Sequence, residues 1–357
     1  MKMNTLFLAG AMAVATALPG MAQEMKLSRI NATVPFAEGG GSDTLMRAVA
    51  PYLRKALPGN PTILIQNTPG GGGIPGTNRF VASAPADGSA ILALSSSLFI
   101  ANVLEAPQID FTLDQFVPVF IAPMAPIYYV SPSTGATGVG DVTGLKDAKL
   151  VFGGGRQDSA DALTVMQFDL LGIEIQSVWG IERGTSRIGF ERGEFNVDHQ
   201  TTAAFNNSVQ PLVDEGKAIP FMAAGIIDPS GQIVRDPNFP EIPTFLELYE
   251  QVHGKPLSGP AYDAYLALMS AAVTTGKAIV LPATAPASVV DAYAQAFGAV
   301  LADPEFQAAN AAALGGYQLY TGADAQALWG TVNTLDDASF AWLADWYQTK
   351  IGFELKR

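Results

Sequence analysis

From Leu27 onward the apolar residues follow two spacings. In KLSRINATVPF, Leu27, Ile30, Ala32 and Val34 give the alternation of a half-buried strand. The polar, glycine-rich AEGGGSD then reads as a loop. TLMRAVAPYLRKAL changes period and places Leu45, Val49, Tyr52, Leu53 and Leu57 on one helical face, with Asp43 or Ser42 as a natural N-cap. PTILIQ predicts a short buried strand, NTPGGGGIPGT a loop, and GTNRFVASA the start of a helix. SAILALSSS predicts a third strand, introduced by the turn APADG. Strand, glycine loop and helix thus occur twice before the third strand, with strands starting roughly thirty residues apart, the rhythm of a parallel, helix-covered sheet. In such sheets ligands bind beyond the carboxyl ends of the strands, where both glycine loops fall.

APIYYVSPSTG reads as a strand that closes this unit, and a second unit of the same kind begins after it. AKLVFGGG, EIQSVW, FNVDHQT and AIPFMAAG read as its strands. SADALTVMQFDLLG is a helix closed by Gly172, and a further helix lies near Val209 to Glu215. FPEIPTFLELYEQV leads out of this unit. In the tail, PASVVDAYAQAFGAVLADPEFQAA carries Val289, Tyr293, Phe297 and Leu301 at helical spacing, and DAQALWGTVNTLDDASFAWLADWYQTK is also helical, with Trp342, Trp346 and Tyr347 on a core-facing side. The pattern predicts two α/β lobes, with the C-terminal helices returning to the first.

The N-terminus adds a destination. Lys2, an apolar Ala-rich stretch and the Gly20-Met21-Ala22 site before Gln23 read as a cleaved secretory signal over residues 1–22. The apolar stretch is shorter than the ~20 residues of a membrane span. Cysteine is absent, which excludes a disulfide framework, thiolate catalysis and zinc–cysteine sites. The net charge of −13 becomes −14 once Lys2 is removed with the signal. Such acidity argues against nucleic acid or an anionic membrane as a partner, while a local cluster of donors can still hold a small anion. Only His199 and His253 supply imidazole, so no metal site is expected.

The chemistry falls to the loops. A loop that opens a helix presents unpaired backbone N–H groups at the positive end of the helix dipole, a receptor for carboxylate or phosphate. Either glycine run alone reads equally as a tight turn; two such loops after successive strands, with Ser95, Ser96 and Ser97 at a third, are expected to converge on one anion site. Gly71 to Thr77 has the glycine spacing of a phosphate loop, yet no lysine precedes the threonine. The first loop lacks G-x-G-x-x-G, so nucleotide and cofactor binding are not expected. Hydrolase motifs are also missing, and no catalytic residue is assigned. Arg156, in GGGRQDS, and Arg183 and Arg187, in IERGTSR, are candidates for a bidentate carboxylate anchor; the alternative for each is pairing with a neighbouring acid such as Asp158 or Glu191. Trp179, at a strand end, is a candidate pocket wall.

PFAEGGGSD, NTPGGGGIPGT and APADG, followed by EIPTFLE and LPATAPASVVDAYAQAFGAVLADPEFQ, resemble in order and spacing the periplasmic solute-binding proteins of tripartite tricarboxylate transporters, the Bug family. The resemblance implies a two-lobed Venus-flytrap architecture, each lobe a helix-covered, mostly parallel sheet. Lobe 1 is expected over 23–130 plus 246–357, and lobe 2 over 131–245. It also implies that a small organic carboxylate is held by backbone amides and hydroxyls and passed to a permease of one large and one small integral-membrane subunit. Carried onto this chain, the contacts are Phe36, Gly40, Gly41, Ser42 and Asp43, then Gly70, Gly71, Gly72, Gly73 and Thr77. Separately from the resemblance, Arg156, Ser159 and Asp198 of lobe 2 are expected to read the remainder of the ligand. The chain departs from the family pattern where GGGRQDS replaces two glycines by Arg156 and Asp158, where Asn196 takes the place of an aspartate, and in a longer helical segment between Leu248 and Lys277. An exported α/β enzyme acting on a small carboxylate, or a sensor feeding a signalling partner, are the alternative readings.

Overall fold

The computed structural model describes residues 27–355 except 182, 229, 230, 331, 333 and 334; the predicted leader, 1–22, lies outside the described residues. Its strands are β1 (Arg29–Val34), β2 (Thr62–Asn67), β3 (Ala90–Ser95), β4 (Phe116–Ala122), β5 (Pro126–Val130), β6 (Leu150–Gly154) and β7 (Ile175–Trp179). They continue with β8 (Val197–Thr201), β9 (Ile219–Ala223), the short β10 (Ile226–Ile227) and β11 (Ile233–Val234), then β12 (Lys277–Pro282) and β13 (Tyr320–Thr321). Six of them form one sheet in the order β13-β4-β12-β3-β1-β2, and five form another in the order β7-β6-β8-β5-β9. Both sheets are mixed. β1 pairs in parallel with β2 and β3, while β12 is antiparallel to β3 and β4. In the second sheet β6, β7 and β8 are parallel, and β5 runs against β8 and β9.

Position in the sheet explains how each strand is composed. β3 lies between β1 and β12, and all six of its residues are buried. β1 alternates, with Ile30, Ala32 and Val34 fully buried. β2, expected as a buried strand, alternates between exposed and half-buried residues because it is the edge of its sheet. Helix α1 (Gly41–Ala56) connects β1 to β2 on one side. The chain then returns through α2 (Ile74–Ser83) across β1 to β3 on the other side. The strand order therefore reverses at β1, and the loops at its carboxyl end open a crevice between oppositely directed connections. Ser96, expected at the end of the third strand, instead opens a further helix, α3 (Ser96–Val103).

The chain passes between the sheets twice, and the crossings touch. β4 leads to β5 through residues 123–125, and the return to β12 runs through the helix Pro260–Met269 and the turn Ser270–Thr274. Met124 N donates to Val273 O at 3.0 Å. The strand 126–130, placed by the sequence at the end of the first lobe, pairs in the second sheet, because the crossing follows Ala122 immediately. The helical segment between Leu248 and Lys277 packs inward: Tyr265 is fully buried and its hydroxyl accepts from Gln167 Nε2 at 3.1 Å. Val289, Tyr293 and Phe297 are buried as their spacing predicts, as are Trp346 and Tyr347. No helix among the described residues is long and apolar enough to cross a membrane.

Candidate ligand-binding cleft

The first glycine loop ends at Gly40, which caps α1 with no side chain supplying the cap bond. The expected caps, Ser42 and Asp43, instead lie buried inside the first turn. Asp43 does a different job there. It accepts from Gly39 N at 2.8 Å, from Arg47 Nε at 2.8 Å and from Asn67 Nδ2 at 3.1 Å. Asn67 Nδ2 also donates to the Phe36 carbonyl at 3.0 Å, so this amide and carboxylate lock the two glycine loops together. Burial raises the carboxyl of Asp43, but these donors, Arg47 foremost, outweigh it and hold the group below its ordinary value. With its oxygens engaged, Asp43 shapes the loop and is not a donor to an anion. Gly40 N is used as well, donating to Ala37 O at 3.2 Å, whereas Gly41 is exposed at the helix start.

In the second loop Gly70, Gly71, Gly72 and Gly73 all have positive φ, between 56° and 118°. The close approach that requires a bare backbone is at Gly72, where an added Cβ would stand 2.6 Å from Arg156 Cδ. Arg156 reaches this loop from the segment after β6. Its Nη1 donates to the Gly71 carbonyl at 3.2 Å and its Nη2 to Gln108 Oε1 at 3.4 Å, while Asp158 takes Nε and Nη2. The guanidinium is thus a strap across the mouth of the cleft, already neutralised by its own carboxylate. Thr77 is buried with its hydroxyl bonded to Gly73 O at 2.9 Å. Phe36 packs its ring against Gly73.

On the second sheet, Asp198 is wholly buried. It accepts from Tyr129 Oη at 2.9 Å, Arg183 Nη1 at 2.9 Å and Ser186 Oγ at 3.2 Å. Arg183 also faces Asp161 at 3.4 Å, lies over the Phe152 ring and donates to Gly153 O. Burial raises the carboxyl of Asp161, against the pull of Arg183. Burial, then Arg183, keeps His199 neutral with its pKa well below the ordinary value; its Nδ1 lies 3.0 Å from Thr164 Oγ1. Asp198 and Arg183 are therefore one closed ion-pair network that props up the sheet. Ser159 is buried, with its hydroxyl donating to Arg156 O at 2.7 Å and accepting from Asp161 N. Arg187 pairs with Glu191 at 3.5 Å, and Trp179 packs over Gly154.

Between the sheets lies a cavity of about 50 Å³, lined from the first by Ser96, from the second by Tyr128, His199 and Thr201, and by Lys277 at the start of β12. Met269 and Ala272, from the longer helical segment, complete one wall. Lys277 is opposite Ser95 in the ladder, and a Cβ on Gly41 would stand 3.0 Å from its Nζ. The ammonium therefore lies against the start of α1, beside the serines at the end of β3. No carboxylate among the described residues pairs with it, and burial draws its pKa down to about 8. The sequence reading missed Lys277, although a signal was present: it is the only charged residue between Asp263 and Asp291. A larger groove of about 510 Å³ lies beside β11 and the helix Phe245–His253, where Arg235 and Glu247 already pair at 2.9 Å.

No family model matches the chain. It is 35% identical over 136 residues to Protein BugT of Bordetella pertussis, a match that spans 37% of this chain and 41% of that protein, less than half of either. The fold is that of the periplasmic binding protein BugD, with a TM-score of 0.63 and 21% identity over 91% of this chain and 98% of that one. A protein of R. palustris solved with adipate superimposes with a TM-score of 0.65 and 19% identity, over 91% of this chain and 98% of that one. The two sheets are accordingly the two lobes of a Venus-flytrap architecture. In sequence and in fold the resemblance to the Bug family of periplasmic solute-binding proteins holds.

Proposed function

We propose that the chain is an exported receptor that captures a small organic carboxylate between its lobes and delivers it to a membrane permease with a large and a small subunit. It performs no chemistry on the ligand. The observation that carries this reading is the convergence, at one end of the first sheet, of the exposed start of α1, Ser95 and Ser96, and the unpaired Lys277. Backbone N–H groups and an ammonium there favour an anion, and the second sheet closes the far side. The adipate-bound neighbour, a carboxylate complex on the same fold, agrees with it. Lobe 1 is then the first sheet with its helices, and lobe 2 the second, with Arg156 and Gly71 meeting where the lobes touch. Gly41, Ser95 and Ser96 are assigned to the ligand. Asp43, Thr77, Ser159 and Asp198 are assigned to holding the loops that surround it.

Thermal denaturation against a panel of mono-, di- and tricarboxylates tests the reading. A true ligand at a hundred times its dissociation constant adds about 2.7 kcal/mol. Stabilisation by no organic acid would remove the proposal.

A further inference from the structure

Resting on the carboxylate-receptor reading, we propose that Lys277 is the charge-reading residue of the cleft and that the ligand is a short monocarboxylate. Three observations carry this. Among the described residues, Lys277 is the one charged side chain on the cavity wall, and no carboxylate shares the wall with it. Every other cation close by is already matched: Arg156 by Asp158, and Arg183 by Asp161 and Asp198. A single ammonium balances a single carboxylate, and a second one on the ligand would enter the cavity without a partner. An unpaired buried charge is strongly disfavoured.

The rest of the wall agrees. Met124, Leu163, Met269 and Ala272 offer apolar surface, and the ring of His199 is neutral. Ser96 and Thr201 supply hydroxyls that can donate to a carboxylate oxygen, and donate to or accept from an adjoining hydroxyl on the ligand. Size sets the length: at 10–15 Å³ for each water, a cavity of about 50 Å³ holds about three to five non-hydrogen atoms, those of a two-carbon acid or of a three-carbon acid with no further oxygen. The depressed basicity of Lys277 fits a group waiting for an anionic partner, since a carboxylate beside it restores the charge that burial disfavours.

Calorimetric titration of the full chain with acetate, propionate, pyruvate, malonate and succinate, and with neutral propionamide, tests this in the native protein and in Lys277→Met and Lys277→Arg. The expected result is binding of a monocarboxylate in preference to the dicarboxylates, none of propionamide, and a loss of roughly thirtyfold or more in Lys277→Met. Lys277→Arg keeps the charge and is expected to recover part of that loss. Circular dichroism melts of each variant show whether it is folded. Dicarboxylate binding that Lys277→Met leaves unchanged would overturn the role of Lys277 and the monocarboxylate assignment while leaving the carboxylate receptor intact. Binding of none of these acids, nor of any acid in the thermal panel, would overturn both.

Discussion

Replacing Lys277 by methionine should make the ligand-free protein more stable. The native ammonium has no carboxylate to meet among the described residues, and burial lowers its pKa from 10.5 to about 8. Each tenfold change in a protonation equilibrium is about 1.4 kcal/mol, so keeping this half-buried side chain charged at neutral pH costs the fold at most about 3 kcal/mol. Methionine has a similar length, fills the same space and carries no charge, so the cost disappears. The sign of the pH dependence follows from linkage. Between pH 8 and 10.5 the unfolded chain keeps a proton that the folded one has released, so the native protein gains stability as pH rises through that window. The advantage of Lys277→Met is therefore full below pH 8 and closes toward pH 10.5. Urea denaturation of both proteins without ligand, at pH 7 and at pH 10.5, measures it as a difference in midpoint at constant slope. A variant less stable than the native protein at pH 7, or an advantage that does not shrink with pH, would refute the account of Lys277 as an unpaired, half-buried cation.

Other predictions rest on different contacts. Carboxylate binding at pH 9 should take up a proton, because the ligand draws Lys277 back to its charged form; titrations in buffers of different ionisation enthalpy would show it, and their absence of any difference would count against the ion pair. Asp43→Ala removes the acceptor that joins Gly39, Arg47 and Asn67 and should cost about 2–3 kcal/mol by urea denaturation. Because the folded carboxyl lies below its ordinary 3.8, that contribution is present above pH 4 and is lost as pH falls below 3.8, so the variant and native curves should converge in acid. Gly72→Ala should destabilise by about 1–2 kcal/mol through its positive φ and the clash with Arg156. Adding Arg156→Ala should return only the part due to the clash, which a double-mutant cycle isolates. Asp198→Ala leaves Arg183 without its closest carboxylate and should cost about 3–5 kcal/mol in thermal or chemical melts.

The sequence was most legible where structure is local. The alternation at Ile30, Ala32 and Val34, the helical face at Val289, Tyr293 and Phe297, and the glycine loops after β1 and β2 all depend on neighbours a few residues away. The site was less legible because its contacts are distant in the chain. Asp198 looked like a ligand contact, but its partners are Tyr129 from the neighbouring β5 and Arg183 from the segment after β7, and only their pairing shows that its charge is spent inside the fold. Gly72 looked like a place for an anion to approach, and the approaching group is Arg156 from the other sheet. Lys277 lay in a run with no motif. Its meaning comes from strand order, which sets β12 beside β3 and brings residue 277 to residue 41. The composition did hold one hint, since a single charge in so long an apolar stretch needs a reason to be there.

The paired crossings between the sheets have a mechanical consequence. Met124 and Val273 are tied by a backbone hydrogen bond, and a Cβ on Gly276 would stand 2.6 Å from Met124 N, so the two connections run as one ribbon. A ribbon of two bonded chains bends more readily than it shears or twists. Any rotation of one sheet against the other about it acts like a door on a single axis. Lys277 is the first residue beyond that axis, whereas Gly71 follows β2, three strands away from β12 and so at a radius of about 14 Å for strands 4.8 Å apart. A swing of about 20° would carry the Gly71 side through about 5 Å and leave the ammonium almost where it was. On the proposed carboxylate-receptor reading, the charge contact would then sit at the pivot, and the gap for the ligand would open at the Arg156 strap.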